Sequence, residues 1–353
     1  MTIESFSIEY DAINSRNTFT NGDTISGRII LQVSMETKIQ SLIFVGKGKA
    51  RVVWHEYYGQ HQHRVYWANE KYYDVKQPIL RETSQDGTAV LSKGRHVFPF
   101  SFKIPDRKMP STFKHSTGRI VHKLRAELKQ SMKLTKKTKA HFTFVSKNDM
   151  EYPGLMEPQY GCKDKSLSFF GSGTITMDVH TKRMGYKQGG SVKATVEIVN
   201  NSSRDVKPKF ILYEKQSFFA QGHRKLYTTE ILKEKSEAVA PAEKKVLTKV
   251  IPIPRELPPS ILNCSIIKLE YRLKVYLDIK CASDPHIKLP IIILSHFSEA
   301  QMQSLSTNTA FEDFPNPSTQ AWNNMPQPLD PPPSYSYAMA SSSTYPDKHS
   351  SLM

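Results

Sequence analysis

Hydrophobic and polar residues alternate with a period of two along most of the chain. Ile25, Gly27, Ile29, Leu31 and Val33 share one face of a segment whose other face carries Ser26, Arg28 and Gln32. Leu269, Tyr271, Leu273, Val275, Leu277 and Ile279 alternate in the same way with Lys268, Glu270, Arg272, Lys274, Asp278 and Lys280. Successive side chains of an extended strand point to opposite sides, so the pattern predicts antiparallel sheets with one dry face and one wet face. Turn clusters separate the strands: Asn21-Gly22-Asp23, Gln188-Gly189-Gly190 and Asn200-Asn201-Ser202-Ser203. No long stretch shows helical period and caps. A single helical turn is expected at most, over Pro78 to Thr83.

The alternation repeats itself. Sliding the chain by 167 residues sets Phe19 on Tyr186, Gly22 on Gly189, Ile25 on Val192, Gly27 on Ala194, Ile29 on Val196 and Leu31 on Ile198. The same register carries Ile39 to Val206, Ile43 to Phe210 and Phe44 to Ile211. Beyond that point the slide becomes 149. It sets Ile104-Pro105 on Ile253-Pro254 and Pro110-Ser111 on Pro259-Ser260, and Leu124, Ala126 and Leu128 on Leu273, Val275 and Leu277. One change of offset implies an extra loop of roughly 18 residues in the first copy, placed in the aromatic stretch His55 to Tyr73. Two copies of one all-β unit, each of many short strands, predict two sandwiches. The expected division is a first sandwich over 1–150, a connection over 151–173 and a second sandwich over 174–296. A tail over 297–353, rich in Ser, Thr, Asn, Pro and Met, is read as disordered, because it cannot bury enough apolar surface to offset the entropy of ordering.

Composition narrows the class. A chain of 353 residues with 38% hydrophobic residues is long enough for two real cores. No stretch approaches the roughly 20 apolar residues of a membrane helix, and the N-terminus lacks the pattern of a signal peptide. Cys162, Cys264 and Cys281 are too few and too scattered for a disulfide framework or a zinc site, which points to a reducing compartment. Cys264 is expected to be a buried strand residue. Net charge is +16, and the acidic tail after Ala300 lowers it by three, so the body carries +19. Such a field favours acidic partners.

Chemistry is concentrated in one motif. Asp330-Pro331-Pro332-Pro333-Ser334-Tyr335 lies in the tail. Consecutive prolines pre-form a polyproline II helix that loses little entropy on docking. Pro332 and Pro333 suit the aromatic groove of a WW domain, and Tyr335, one turn on, suits a second pocket. His55, His61 and His63 lack the carboxylate or cysteine partners of a metal site, and no cofactor is expected. No phosphate-binding glycine loop, serine elbow or paired carboxylates appear, so no enzyme is expected.

Several stretches carry a family resemblance. They are Gly22-Asp23-Thr24-Ile25-Ser26-Gly27-Arg28, Val97-Phe98-Pro99-Phe100-Ser101-Phe102-Lys103-Ile104-Pro105, Val206-Lys207-Pro208-Lys209 and Pro258-Pro259-Ser260-Ile261-Leu262-Asn263-Cys264. The last continues into Glu270-Tyr271-Arg272-Leu273-Lys274-Val275-Tyr276-Leu277. With the C-terminal Pro-Pro-x-Tyr, they resemble the arrestin-domain-containing proteins, or α-arrestins. The resemblance implies two arrestin-type antiparallel β-sandwiches in tandem, an all-β fold without catalysis. It implies recruitment of HECT-type ubiquitin ligases through their WW domains to membrane receptor or transporter cargo. That recruitment would promote ubiquitination, endocytosis and endosomal sorting, from a cytoplasmic location peripheral to plasma membrane and endosomes. Many relatives carry two such motifs; this chain has one. One branch binds thioredoxin through a cysteine in a loop that here spans about Lys233 to Lys245. Ala238 and Ala240 stand there and no cysteine does, so the redox role is not carried over.

A basic row is the remaining candidate. Arg119, Val121, Lys123, Arg125 and Glu127 alternate with Ile120, His122, Leu124, Ala126 and Leu128. Arg119, Lys123 and Arg125 would face outward as a contact for acidic or phosphorylated cargo tails or anionic lipid. The competing readings are a solvated face or a charge-protected edge strand. Nucleic acid is not expected, because the partners of the row are aliphatic rather than base-stacking aromatics.

Overall fold

The two segments with the clearest alternation are strands of separate sandwiches. The computed structural model describes residues 2–59, 62–80, 88–147, 151–167 and 172–295. The first sandwich contains β1 (Ile3–Tyr10), β2 (Thr18–Phe19), β3 (Thr24–Val33), β4 (Thr37–Ile39), β5 (Ser41–Tyr58), β6 (Gln62–Leu80), β7 (Ala89–Leu91), β8 (Gly94–Lys103), β9 (Phe113–Lys114), β10 (Gly118–Lys129) and β11 (Lys136–Phe144). The second contains β12 (Gln159–Ser166), β13 (Gly173–Thr181), β14 (Gly185–Lys187), β15 (Ser191–Ser202), β16 (Lys207–Ala220), β17 (His223–Lys235), β18 (Glu243–Pro252), β19 (Ile267–Asp278) and β20 (His286–Leu294). In the first, the sheet β1-β3-β8 faces β2-β11-β10-β5-β6, with β9 on β10 and a β4-β7 ribbon beside them. In the second, β12-β13-β15-β18 faces β14-β20-β19-β16-β17. Among the described residues no helix is long and apolar enough to cross a membrane.

Burial follows the alternation. Ile25, Ile29, Leu31 and Val33 of β3 are fully buried, as are Leu269, Leu273, Val275 and Leu277 of β19. Each such side chain contributes about 1.5–3 kcal/mol by leaving water.

The internal repeat is visible in the pairing. Phe19 and Phe144 pair across the parallel β2–β11 contact, and Tyr186 and Ile293 do the same across β14–β20. Gly22 and Gly189 both take φ near +78°, a turn conformation that a side chain resists. The Ile104 amide donates to Asp23 O at 2.8 Å, and the Ile253 amide donates to Gly190 O at 2.8 Å.

Several expectations are corrected. Phe44 pairs with Ala126 and Phe210 with Val275, so Phe44 matches Phe210 rather than Ile211. A one-residue slip reverses every side chain in a strand, and the fold follows burial rather than constant spacing. The proline loop slips likewise. The imidazole of His122 donates to Pro110 O at 3.2 Å, and the hydroxyl of Tyr271 donates to Pro258 O at 2.7 Å. Pro110 therefore matches Pro258. The aromatic stretch His55 to Tyr73 is no loop. It belongs to a β5–β6 hairpin with strands of 18 and 19 residues, against 14 and 13 in β16 and β17. Pro78 to Leu80 ends β6 rather than starting a helical turn, and proline is tolerated there because β6 is an edge strand; residues 81–87 lie outside the described residues. The stretch read as a connection holds β12, which pairs with β13.

The long hairpin reaches the second sandwich. The Tyr66 ring lies 4.6 Å from that of His223, and the His115 ring stacks on Phe218 at 4.9 Å. The Tyr72 hydroxyl donates to Cys264 Sγ at 3.2 Å. The Glu70 carboxylate accepts from the Ser265 amide at 2.8 Å and the Ser265 hydroxyl at 2.6 Å. Cys264 is buried as expected, but in the turn before β19 rather than in a strand. Buried side chains of the two sandwiches thus form one continuous apolar body across separate sheets.

Candidate functional site

The basic face is built on three adjacent strands. β10 lies between β5 and β11, so the edge-strand reading of its charges does not hold. Its inner residues Ile120, His122, Leu124, Ala126 and Leu128 are buried. Its outer residues Arg119, Lys123 and Arg125 project the other way, beside matching residues of both neighbours. Arg119 pairs with Arg51, Val121 with Lys49 and Lys123 with Lys47 on β5. Lys123 also pairs with His141, and Arg125 with Lys139, on β11. Directly opposed residues of paired strands have Cβ atoms about 5 Å apart, so the stems of these cationic side chains start side by side.

Two carboxylates answer part of this charge. Arg125 pairs with Glu127 at 2.5 Å, and Lys47 with Asp74 at 2.7 Å. Lys49, Arg51, Arg119, Lys123 and Lys139 form no ion pair with any described carboxylate. Burial and crowding together are felt in the protonation of Lys49, Lys123 and His141. Burial first, and then the charges of Lys47, Arg51, Arg119 and Arg125, pull the Lys49 ammonium below its usual pKa. Lys123 is lowered by burial and then by Lys49, Arg125, Lys139 and Lys47. His141 is lowered by burial and then by Lys139, Lys123 and Arg119. A group of cations that repel one another gains on meeting anionic oxygens, because the ligand removes both the repulsion and part of the field.

The chain from Lys103 to Lys139 signals β10 and the start of β11 by its density of cations. The contribution of β5 comes from Lys47, Lys49 and Arg51, which alternate with Gly46, Gly48 and Ala50. That signal is equally local, but its meaning depends on β5 pairing with β10. In the second sandwich the corresponding face holds a cavity of about 500 Å³ lined by Tyr213, Lys215, Arg272, Lys274 and Lys288 together with Glu230. Glu270 lies within 3.5 Å of both Lys215 and Arg272, so this face is better neutralised.

The tail motif Pro332, Pro333 and Tyr335 lies outside the described residues, as does His61. His55 and His63 are stacked at 5.7 Å on the exposed face of the hairpin. Among the described residues no three His, Cys, Asp or Glu side chains group as they would around a metal ion.

A tandem of antiparallel sandwiches with a polybasic sheet face defines a binding scaffold. The first sandwich matches the N-terminal domain of the family "Arrestin (or S-antigen)" over residues 6–151, and the second matches its C-terminal domain over residues 171–296. The chain belongs to the arrestin-domain family, whose domains are non-catalytic scaffolds rather than enzymes. It is similar to Arrestin domain-containing protein 4 of Homo sapiens, at 26% identity over 283 residues, covering 78% of this chain and 68% of that one. The Mus musculus protein of the same name is 26% identical over 79% of this chain and 69% of its own length. Thioredoxin-interacting protein of Pongo abelii is 24% identical over 94% of this chain and 84% of its own length.

Proposed function

We propose that the chain is an intracellular trafficking adaptor. The tail motif recruits WW-domain HECT-type ubiquitin ligases, and the sandwiches hold membrane receptor or transporter cargo, so that cargo is ubiquitinated and sorted through endosomes. The observation that carries this reading is Pro332-Pro333-Ser334-Tyr335 placed C-terminal to an arrestin-family tandem. Pro332 and Pro333 supply a rigid ligand for the groove, and Tyr335 supplies apolar area and a hydroxyl for the second pocket. The basic face around Arg119, Lys123 and Arg125 takes clustered anionic oxygens from a cargo tail or a lipid headgroup. The working location is the cytoplasmic side of the plasma membrane and endosomes.

The thioredoxin partnership that names one relative is not part of the proposal. The segment joining β17 to β18 has no cysteine, and burial pushes the Cys264 thiol up to about 11, which keeps it from the thiolate form. The test is capture of the full chain by immobilised WW domains. Wild type is retained and Tyr335→Ala is lost; equal retention of both would overturn the ligase-recruitment reading.

A further inference from the structure

The outer face of β5 continues beyond the basic cluster. Lys47, Lys49 and Arg51 are followed on the same side by Val53, His55 and Tyr57, and β6 sets Trp67 opposite Val53, Val65 opposite His55 and His63 opposite Tyr57. The tip of the hairpin therefore carries an aromatic and aliphatic patch that is continuous with the cations. Trp67 is 55% exposed and Tyr57 77% exposed. The other side of the tip is occupied: Trp54 stacks on Tyr66 at 5.1 Å, and Tyr66 packs against His223. One face anchors the hairpin to the second sandwich, and the other meets water.

We propose that this outer face docks on an anionic bilayer, with Tyr57 and Trp67 seated at headgroup level and Lys49, Arg51, Arg119 and Lys123 over the lipid phosphates. The inference rests on the reading of the basic face as a site for anionic oxygens, and commits it to lipid as their source. Two features select a bilayer. An acidic peptide would be satisfied by the cations and leave Trp67 and Tyr57 without a partner, whereas the headgroup layer suits large rings with a polar edge beside lysine and arginine. Single-stranded nucleic acid needs rings interleaved with cations along its backbone. Here the rings gather at one end, interleaved with Val53 and Val65, which stack on no base but do leave water in a membrane interface. From Lys47 to Tyr57 the strand spans roughly 33 Å, so the cations and the tip meet a broad surface rather than a single ligand.

The test uses the full chain with vesicles of phosphatidylcholine alone, and with vesicles in which about a third of the lipid is phosphatidylserine. Only the second kind is expected to carry the protein down on centrifugation. The chain has three tryptophans, and Trp54 is buried. In a Trp322→Phe background, a blue shift on adding vesicles reports Trp67 entering the interface. Tyr57→Ala with Trp67→Ala lowers capture about tenfold, and Arg119→Glu with Lys123→Glu lowers it at least 25-fold, both at unchanged thermal unfolding. Full capture of the Tyr57/Trp67 variant overturns the proposal. So does retention on phosphopeptide beads, or on a single-stranded oligonucleotide, without capture by vesicles; the anionic-oxygen reading then survives. If vesicles, phosphopeptide and oligonucleotide all fail to bind, both readings fall.

Discussion

Among single side chains, His122 has the most constrained chemistry. It is buried on the inner side of β10, stacked on Phe144 at 4.4 Å, with Nε2 donating to Pro110 O and Nδ1 accepting from the Tyr73 hydroxyl at 3.1 Å. Both nitrogens are used by the neutral ring, and burial drives its pKa down to about 4. The unfolded chain binds a proton at this residue near its ordinary value of about 6.5, so between the two values the unfolded state holds more protons. Stability is therefore lost as pH falls from about 6.5 to about 4 and changes no further through this group below that. His122→Phe removes that part of the pH dependence while lowering stability at pH 7, because Tyr73 and Pro110 lose their partner. Denaturant unfolding at pH 7 and pH 5, for both proteins, checks it. Alternation alone places His122 on the inner face, but its partners come from β6 and from the proline loop, which no local pattern connects to it.

At the scale of the element, the two faces of β10 differ by parity in what they contribute to stability. Leu124→Ala empties a fully buried position and should cost about 2–5 kcal/mol in denaturant unfolding. Lys123→Ala on the opposite face should stay within about 0.5 kcal/mol of wild type or gain slightly, since it relieves repulsion from Lys49, Arg125 and Lys139. A large loss for Lys123→Ala would mean that its aliphatic stem is part of the core. Alternation makes both faces of β10 legible in the sequence. The neighbouring strand is not legible there: β5 adds Lys47, Lys49 and Arg51 to the face, yet lies far away in the chain. The aromatic stretch His55 to Tyr73 reads as a loop for a related reason. A long edge hairpin and a loop insertion add the same extra length to one copy of a repeat, and only pairing partners distinguish them.

For the whole molecule, the contact between sandwiches is the decisive feature. Gly118 opens β10 directly beneath the second sandwich; a Cβ there would stand 2.7 Å from Phe218 Cδ1 and 3.0 Å from Val52 Cγ1. Gly118→Val should force the two sandwiches apart. The cysteines report this. In the wild type, Cys162 and Cys281 are exposed and should react with a thiol reagent early, Cys162 the more slowly because its hydrogen bond to Asp178 disfavours the thiolate. Cys264, buried against Tyr72, should react last. In Gly118→Val the third thiol should react several-fold faster under native conditions; an unchanged rate would show that the interface tolerates the side chain.

The chain by itself determined that the protein is all-β, duplicated and strongly basic, and that its tail contains the sequence Pro332-Pro333-Ser334-Tyr335. Each of these can be read along the chain without knowing strand partners: a period of two, a repeat at two successive offsets, a count of charges, a run of prolines. Only the tertiary structure decided which strands lie side by side. That choice gathers the cations of β5, β10 and β11 into one face and turns an aromatic stretch into a hairpin with one anchored and one open side. It also buries Cys264 against a tyrosine from the other sandwich. Strand partners are chosen by the packing of whole sheets, an energy shared by residues distant in sequence, and no window along the chain contains it.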